Sequence, residues 1–133
     1  MNTKILIVDD TRTIRFQLRA MLSSRGFDVE EAVDGVDALQ KIRESKPDIV
    51  LMDIMMPNMD GIECTRNIKA DPKISDVKVI IVTTKGEYEK FQAAFRAHCD
   101  DFLNKPVREM ELMGKIEELS KMRHARATLR SLK

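Results

Sequence analysis

Ile5-Leu6-Ile7-Val8-Asp9-Asp10 is an apolar run closed by two carboxylates, and Ile49-Val50-Leu51-Met52-Asp53 repeats the pattern with one. Continuous apolar runs of this length fit strands buried on both faces, as in a parallel sheet. Parallel strands present their carboxyl ends along one edge of the sheet, so the acids converge there. Three like charges repel unless a cation joins them, and Mg²⁺ suits a compact oxygen-only site that handles phosphate. A further apolar run ends in hydroxyls (Val79-Ile80-Ile81-Val82-Thr83-Thr84), and a short one ends in Lys105-Pro106. Carboxylates, a hydroxyl and a lysine at strand ends describe a phosphoryl-accepting site.

Between these runs the period changes from strand to helix. Ile14, Leu18, Met21, Leu22 and Arg25 recur at helical spacing before Gly26, which suits a helix end. Phe27 to Glu31 alternates as a shorter strand. Asp34 to Asp37 offers a cap for a helix carrying Ala38, Leu39 and Ile42, which stops before Pro47. The loop Pro57 to Gly61 opens a helix with Ile62, Thr65 and Ile68, ending near Asp71-Pro72. Strand four is expected over 77–83, a helix from Glu87 to Ala97, and strand five over 101–104. The last helix is expected to start at Pro106-Val107 and to carry Leu112, Ile116 and Leu119. Five β-α repeats predict a parallel sheet with helices on both faces.

The chain has 133 residues, enough for one domain and too few for two. Hydrophobic content of 43% and charged content of 34% are those of an ordinary soluble protein. A formal net charge of +1 gives no global pull towards nucleic acid or anionic lipid. Cys64 and Cys99 form neither a metal spacing nor a disulfide framework, and are expected to be buried thiols in a reducing compartment. No apolar run is long enough to span a bilayer, and Met1 to Lys4 leads straight into a strand. The expected location is the cytoplasm.

With Asp9-Asp10, Asp53 followed by Met56-Pro57-Asn58-Met59-Asp60-Gly61, then Thr83, Phe102 and Lys105-Pro106, the chain resembles the receiver domains of two-component response regulators. All appear in the family's order and spacing, and the resemblance covers about residues 3 to 120. It implies a flavodoxin-like, doubly wound sheet in the order 2-1-3-4-5, with the switch point between the strands that end in Asp9-Asp10 and Asp53. It makes Asp53 the phosphoacceptor nucleophile, with Asp9, Asp10, Asp53 and the backbone carbonyl of Met55 holding Mg²⁺. Thr83 would then bond a phosphoryl oxygen and Lys105 would supply positive charge. A cis bond between Lys105 and Pro106 is also implied.

Thr83 and Phe102 would form the switch: the hydroxyl moves toward the phosphoryl group and the ring turns into the vacated space. The fourth helix, fifth strand and fifth helix would form the output face, with Tyr88, Phe95 and Met113 as its apolar patch. Met52, Met55, Met56 and Met59 are read as soft packing around a loop rather than a cofactor box. His98 departs from the family's usual glycine, although histidine tolerates positive φ better than most residues.

The implied function is a signalling switch phosphorylated by a sensor histidine kinase or a histidine phosphotransfer protein. It would act only on itself, and its output would be a downstream protein target or self-association. Residues 1–120 would be the receiver and 121–133 a basic helical extension or tail. Membrane and nucleic acid are not expected partners. Two rival readings are a receiver cut from a larger regulator and a Mg²⁺-dependent phosphohydrolase with an aspartyl nucleophile. Such hydrolases want an acid two residues after the nucleophile, where Met55 stands.

Overall fold

The computed structural model describes residues 2–84 and 88–131, with side chains described for all of these except 88–91 and 123–131. Strands and helices alternate: β1 (Lys4–Val8), α1 (Arg12–Ser23), β2 (Asp28–Ala32), α2 (Gly35–Ser45), β3 (Ile49–Asp53), α3 (Gly61–Ala70), β4 (Lys78–Thr84), α4 (Tyr88–Arg96), β5 (Asp101–Lys105) and α5 (Glu109–Ser131). The strands form one parallel sheet in the order β2-β1-β3-β4-β5. This is the expected doubly wound order, with its reversal between β1 and β3.

Alternation along each strand divides the core in two. Ile5, Ile7, Ile49, Leu51, Ile80, Val82 and Leu103 pack with Leu18 and Leu22 of α1 and Leu112, Ile116 and Leu119 of α5. Leu6, Val8, Val50, Met52, Val79 and Ile81 pack on the other face against α2, α3 and α4. Both faces of the central strands are therefore covered, which is why their sequences are apolar without interruption. Each fully buried leucine or isoleucine contributes roughly 1.5–3 kcal/mol relative to exposure.

Side-chain caps start two helices. Asp34 Oδ1 accepts from Asp37 N at 2.8 Å at the head of α2, and Asp60 Oδ1 accepts from Glu63 N at 2.8 Å at the head of α3. Gly26 follows α1 with φ of +85°, a region open to glycine. His98, between α4 and β5, holds φ of +69°, a left-handed conformation that histidine tolerates better than most residues.

Two boundaries differ from expectation. β5 continues to Lys105, whose bond to Pro106 is cis, and α5 begins at Glu109 rather than at Pro106. The first helical carbonyl is that of Arg108, which accepts from Leu112 N at 3.0 Å. The proline therefore stands in the connection rather than in the helix's first turn. The expected start of α4 at Glu87 lies outside the described residues. Among the described residues, no helix is long and apolar enough to cross a membrane.

Candidate functional site

Asp9 directly follows β1, Asp53 ends β3, Thr83 is the penultimate residue of β4 and Lys105 ends β5. The register sets them side by side: Val8 pairs with Met52, Asp53 with Val82, and Thr83 with Asn104. One carboxylate oxygen from each of Asp9, Asp10 and Asp53 can be chosen so that all three lie within 4.8 Å of one another. Asp9 (2% exposed), Asp53 (8%) and Thr83 (6%) are buried, whereas Asp10 is exposed at the mouth of the cluster.

Lys105 enters from β5 and bridges two of the acids. Its Nζ donates to Asp9 Oδ2 at 3.0 Å and to Asp53 Oδ1 at 3.2 Å. Asp53 Oδ1 also accepts from Ile54 N at 3.0 Å, and Asp9 Oδ1 accepts from Thr11 N at 2.8 Å. Burial, and then the charge of Asp9, push the Asp53 carboxyl above its usual range; Lys105 offsets them only in part. For Lys105, burial opposes the charged form, but the hydrogen bonds and charges of Asp9 and Asp53 outweigh it and raise the ammonium's pKa.

Charge decides what else fits. Among the described residues, Lys105 is the one ammonium paired with acids of this trio, bridging Asp9 and Asp53, so the three carboxylates, when ionised, exceed that charge by two. An all-oxygen donor set with that excess suits a hard divalent cation such as Mg²⁺, which needs few protein ligands.

The loop after Asp53 is held by residues whose partners the sequence did not reveal. Asn58, at φ of +68°, donates from Nδ2 to Asp34 Oδ2 at 2.8 Å, and Gly35 N donates to Met59 O at 3.1 Å. Both tie the β3–α3 loop to the head of α2. Gly61 N donates to Ile54 O at 2.9 Å, and a Cβ on Gly61 would stand 1.9 Å from the Asp53 carbonyl oxygen. Only a glycine fits that approach. Arg15 donates from Nη1 to the Asp9 carbonyl at 2.8 Å and pairs with Glu31, bracing the end of β1 from α1. Asp34 was legible as a cap, but no local signal linked it to Asn58, nor Arg15 to Asp9.

The remaining expected residues occupy varied environments. Met55 is 59% exposed on the loop, while Met52 is fully buried and Met56 and Met59 pack against the core. The half-buried Phe102 ring packs against the α2-α3-α4 core, and it shares a sheet face with Ile81 and Thr83. Phe95 is 71% exposed on α4 while Ala94 and Ala97 are buried, so small residues face inward as expected. Met113 is half-buried against the α1-α5 core, and the side chain of Tyr88 lies outside the described residues. Cys64 is buried and Cys99 half-buried; burial pushes their thiols up to about 12 and about 11, away from nucleophilic thiolate chemistry. Sequence reading missed the two most exposed apolar side chains among the described residues, Met110 on α5 and Phe16 on α1.

Residues 5–117 match the model of the response regulator receiver domain. Among curated proteins, the chain is 38% identical over 119 residues to the response regulator MprA of Mycobacterium sp. (strain KMS), covering 90% of this chain and 51% of that protein. The chain thus spans about half the length of the curated relatives it matches. Among solved structures, a receiver domain protein (CheY-like) from Methanospirillum hungatei JF-1 is 30% identical with a TM-score of 0.85, covering 95% of this chain and 99% of the other. The Vibrio cholerae chemotaxis protein CheY4 is 28% identical with a TM-score of 0.83, covering 90% and 99%. NtrX from Brucella abortus is 27% identical with a TM-score of 0.90, covering all of this chain but 30% of that one. By its sequence match, its strand order and its strand-end acids, the chain belongs to the receiver domain family of response regulators.

Proposed function

We propose that this protein is a phosphorylation-controlled switch in which Asp53 accepts a phosphoryl group from a sensor histidine kinase or a histidine phosphotransfer protein. The observation that carries this reading is the bridging of Asp53 and Asp9 by Lys105 beside Asp10, at the carboxyl edge of the sheet. An Asp53 carboxylate oxygen attacks phosphorus, and the bond from phosphorus to the donor imidazole nitrogen breaks. Lys105 then balances charge on the phosphoryl oxygens, and the Thr83 hydroxyl donates to one of them. Asp9, Asp10, Asp53 and the Met55 carbonyl are the residues that would hold Mg²⁺. When bound, Mg²⁺ supplies the charge neutralisation that lets an anionic donor approach an acidic pocket.

Movement of Thr83 toward the phosphoryl group and of Phe102 into the space behind it would carry the signal to the surface. The proposed output face is α4-β5-α5, with Tyr88, Phe95 and Met113, acting on a downstream protein or a second copy. Residues 1–120 form the proposed receiver unit, with 121–133 a basic extension or tail. The protein turns over no outside substrate and loses its phosphoryl group slowly to water. A second reading, favoured by the half-length overlap with curated relatives, is that this receiver controls further domains of a longer regulator.

Labelling with radioactive acetyl phosphate in Mg²⁺ tests the proposal. Wild-type protein should incorporate an acid-stable, base-labile label, and Asp53→Asn should incorporate none. Undiminished labelling of Asp53→Asn places the acceptor elsewhere.

A further inference from the structure

One carboxylate oxygen ties the backbone of Phe102 to a lysine on the neighbouring helix. Asp101 Oδ1 accepts from Phe102 N at 2.8 Å and from Lys115 Nζ at 2.9 Å. The same Nζ stands 5.7 Å from the centroid of the Phe102 ring. Lys115 and Asp101 are mostly covered, with side chains 25% and 24% exposed. An ammonium within about 6 Å of a ring is attracted to its π-system, more strongly where water is partly excluded.

We propose that Lys115 is a positioning residue that holds the Phe102 ring in its resting orientation and thereby sets how readily the switch turns. Asp101 anchors the ammonium independently of the ring, because that ion pair reaches Asp101 rather than Phe102. Rotation of the ring therefore gives up the ammonium contact while the anchor stays in place. Such an interaction is made in one state and lost in the other, which is the condition for biasing a two-state equilibrium. The inference rests on the proposed movement of Phe102, and it adds a residue whose charge opposes that movement.

The experiment uses the whole chain labelled with fluorophenylalanine, each variant being followed by fluorine NMR and titrated with beryllofluoride in Mg²⁺. There are five phenylalanines, and Phe102→Leu assigns the relevant resonance. In wild-type protein beryllofluoride should shift the Phe102 resonance. In Lys115→Met the resonance of the free protein should already lie toward the activated position. The activated population, and the apparent affinity for beryllofluoride, should both rise about two- to fivefold, the factor carried by a modest ammonium–ring contact. Lys115→Arg, which keeps the cation, should behave as wild type.

Asp101→Asn keeps an acceptor for Phe102 N but removes the ammonium's charged anchor, so it should move both readouts in the same direction. It decides the matter alone if the other phenylalanine resonances show Lys115→Met to be unfolded. If beryllofluoride shifts Phe102 in wild-type protein but both variants match wild type when free, the latch is wrong and the switch reading stands. A displaced resonance without tighter beryllofluoride binding marks a local ring-current effect and also overturns the latch. If beryllofluoride leaves Phe102 unmoved in wild-type protein, the switch reading fails and the latch fails with it.

Discussion

Lys105 Nζ lies 3.2 Å from Asp53 Oδ1, although 52 positions separate the two residues in the chain. They meet because β3 and β5 flank β4 in the sheet, and both end at the same edge. The ammonium partly offsets what burial and Asp9 do to the Asp53 carboxyl. Lys105→Met should therefore raise the pKa of Asp53 further in metal-free buffer, as followed by carboxyl carbon NMR. It should also slow labelling by acetyl phosphate about a hundredfold, the scale on which a preorganised charge partner acts. A faster-labelling variant would contradict the proposed role.

Asp10 is the exposed member of the acid trio. Asp10→Ala should remove most Mg²⁺ affinity, as measured by calorimetric titration, while the melting temperature in metal-free buffer stays the same or rises. Deleting the residue removes a ligand and one source of carboxylate repulsion together. Unchanged affinity would locate the cation elsewhere.

Gly61→Ala tests the close approach behind the nucleophile. The added methyl would sit 1.9 Å from the Asp53 carbonyl oxygen, closer than any contact allows. Overpacking of this kind costs roughly 1–3 kcal/mol. Denaturant unfolding should show that loss, and labelling at Asp53 should fall because the end of β3 has to shift.

Asp34 caps α2 and receives Asn58, so its carboxyl is held below the usual range by the Asp37 N–H and the Asn58 amide, against the opposing effect of burial. Its folded pKa lies under its unfolded value, so its contribution is complete above the unfolded pKa of about 4. That contribution is lost as pH falls through the depressed folded value. Asp34→Ala should cost about 1 kcal/mol at neutral pH. The difference between wild type and variant should narrow below pH 4, as measured by urea unfolding across pH.

Met55 is exposed beside the pocket and presents no hydrogen-bonding side chain that could orient water effectively. By resemblance, it and Lys85 would border the path of the attacking water; Lys85 lies outside the described residues. Met55→Asn should shorten the lifetime of the phosphorylated protein in matched Mg²⁺, as followed by loss of label. Equal decay rates would remove Met55 from that path.

Local sequence was sufficient for the elements and for placing acids, a hydroxyl and a lysine at strand ends, while their roles in the site came from resemblance. Continuous apolar runs marked the buried strands β1, β3 and β4, which end in side chains the proposed chemistry uses: Asp9 and Asp10, Asp53, Thr83; β5, ending in Lys105, is polar at both ends. Chain-local physics accounts for this, since a strand covered on both faces must be apolar throughout and releases its first polar group at its end. The cap Asp34 was legible for the same reason, because a cap bonds within three residues of itself; Asp60 was read only as part of the loop that opens α3. Proline chemistry was less so: Pro106 suited a helix start by propensity, yet it stands between β5 and a helix that opens three residues later.

What tertiary structure alone decided was pairing over distance. Sequence spacing cannot say that Asn58 reaches Asp34, that Arg15 braces the Asp9 carbonyl, or that Lys115 stands over Phe102. Each of these depends on which strands are neighbours and how the helices lie across them. Strand order itself needed resemblance, because a βαβ unit specifies a right-handed crossover but not how many strands it passes. Charge balance at the pocket likewise emerged only when burial and distance were known, since desolvation and Coulomb interaction are properties of the folded neighbourhood rather than of the residue.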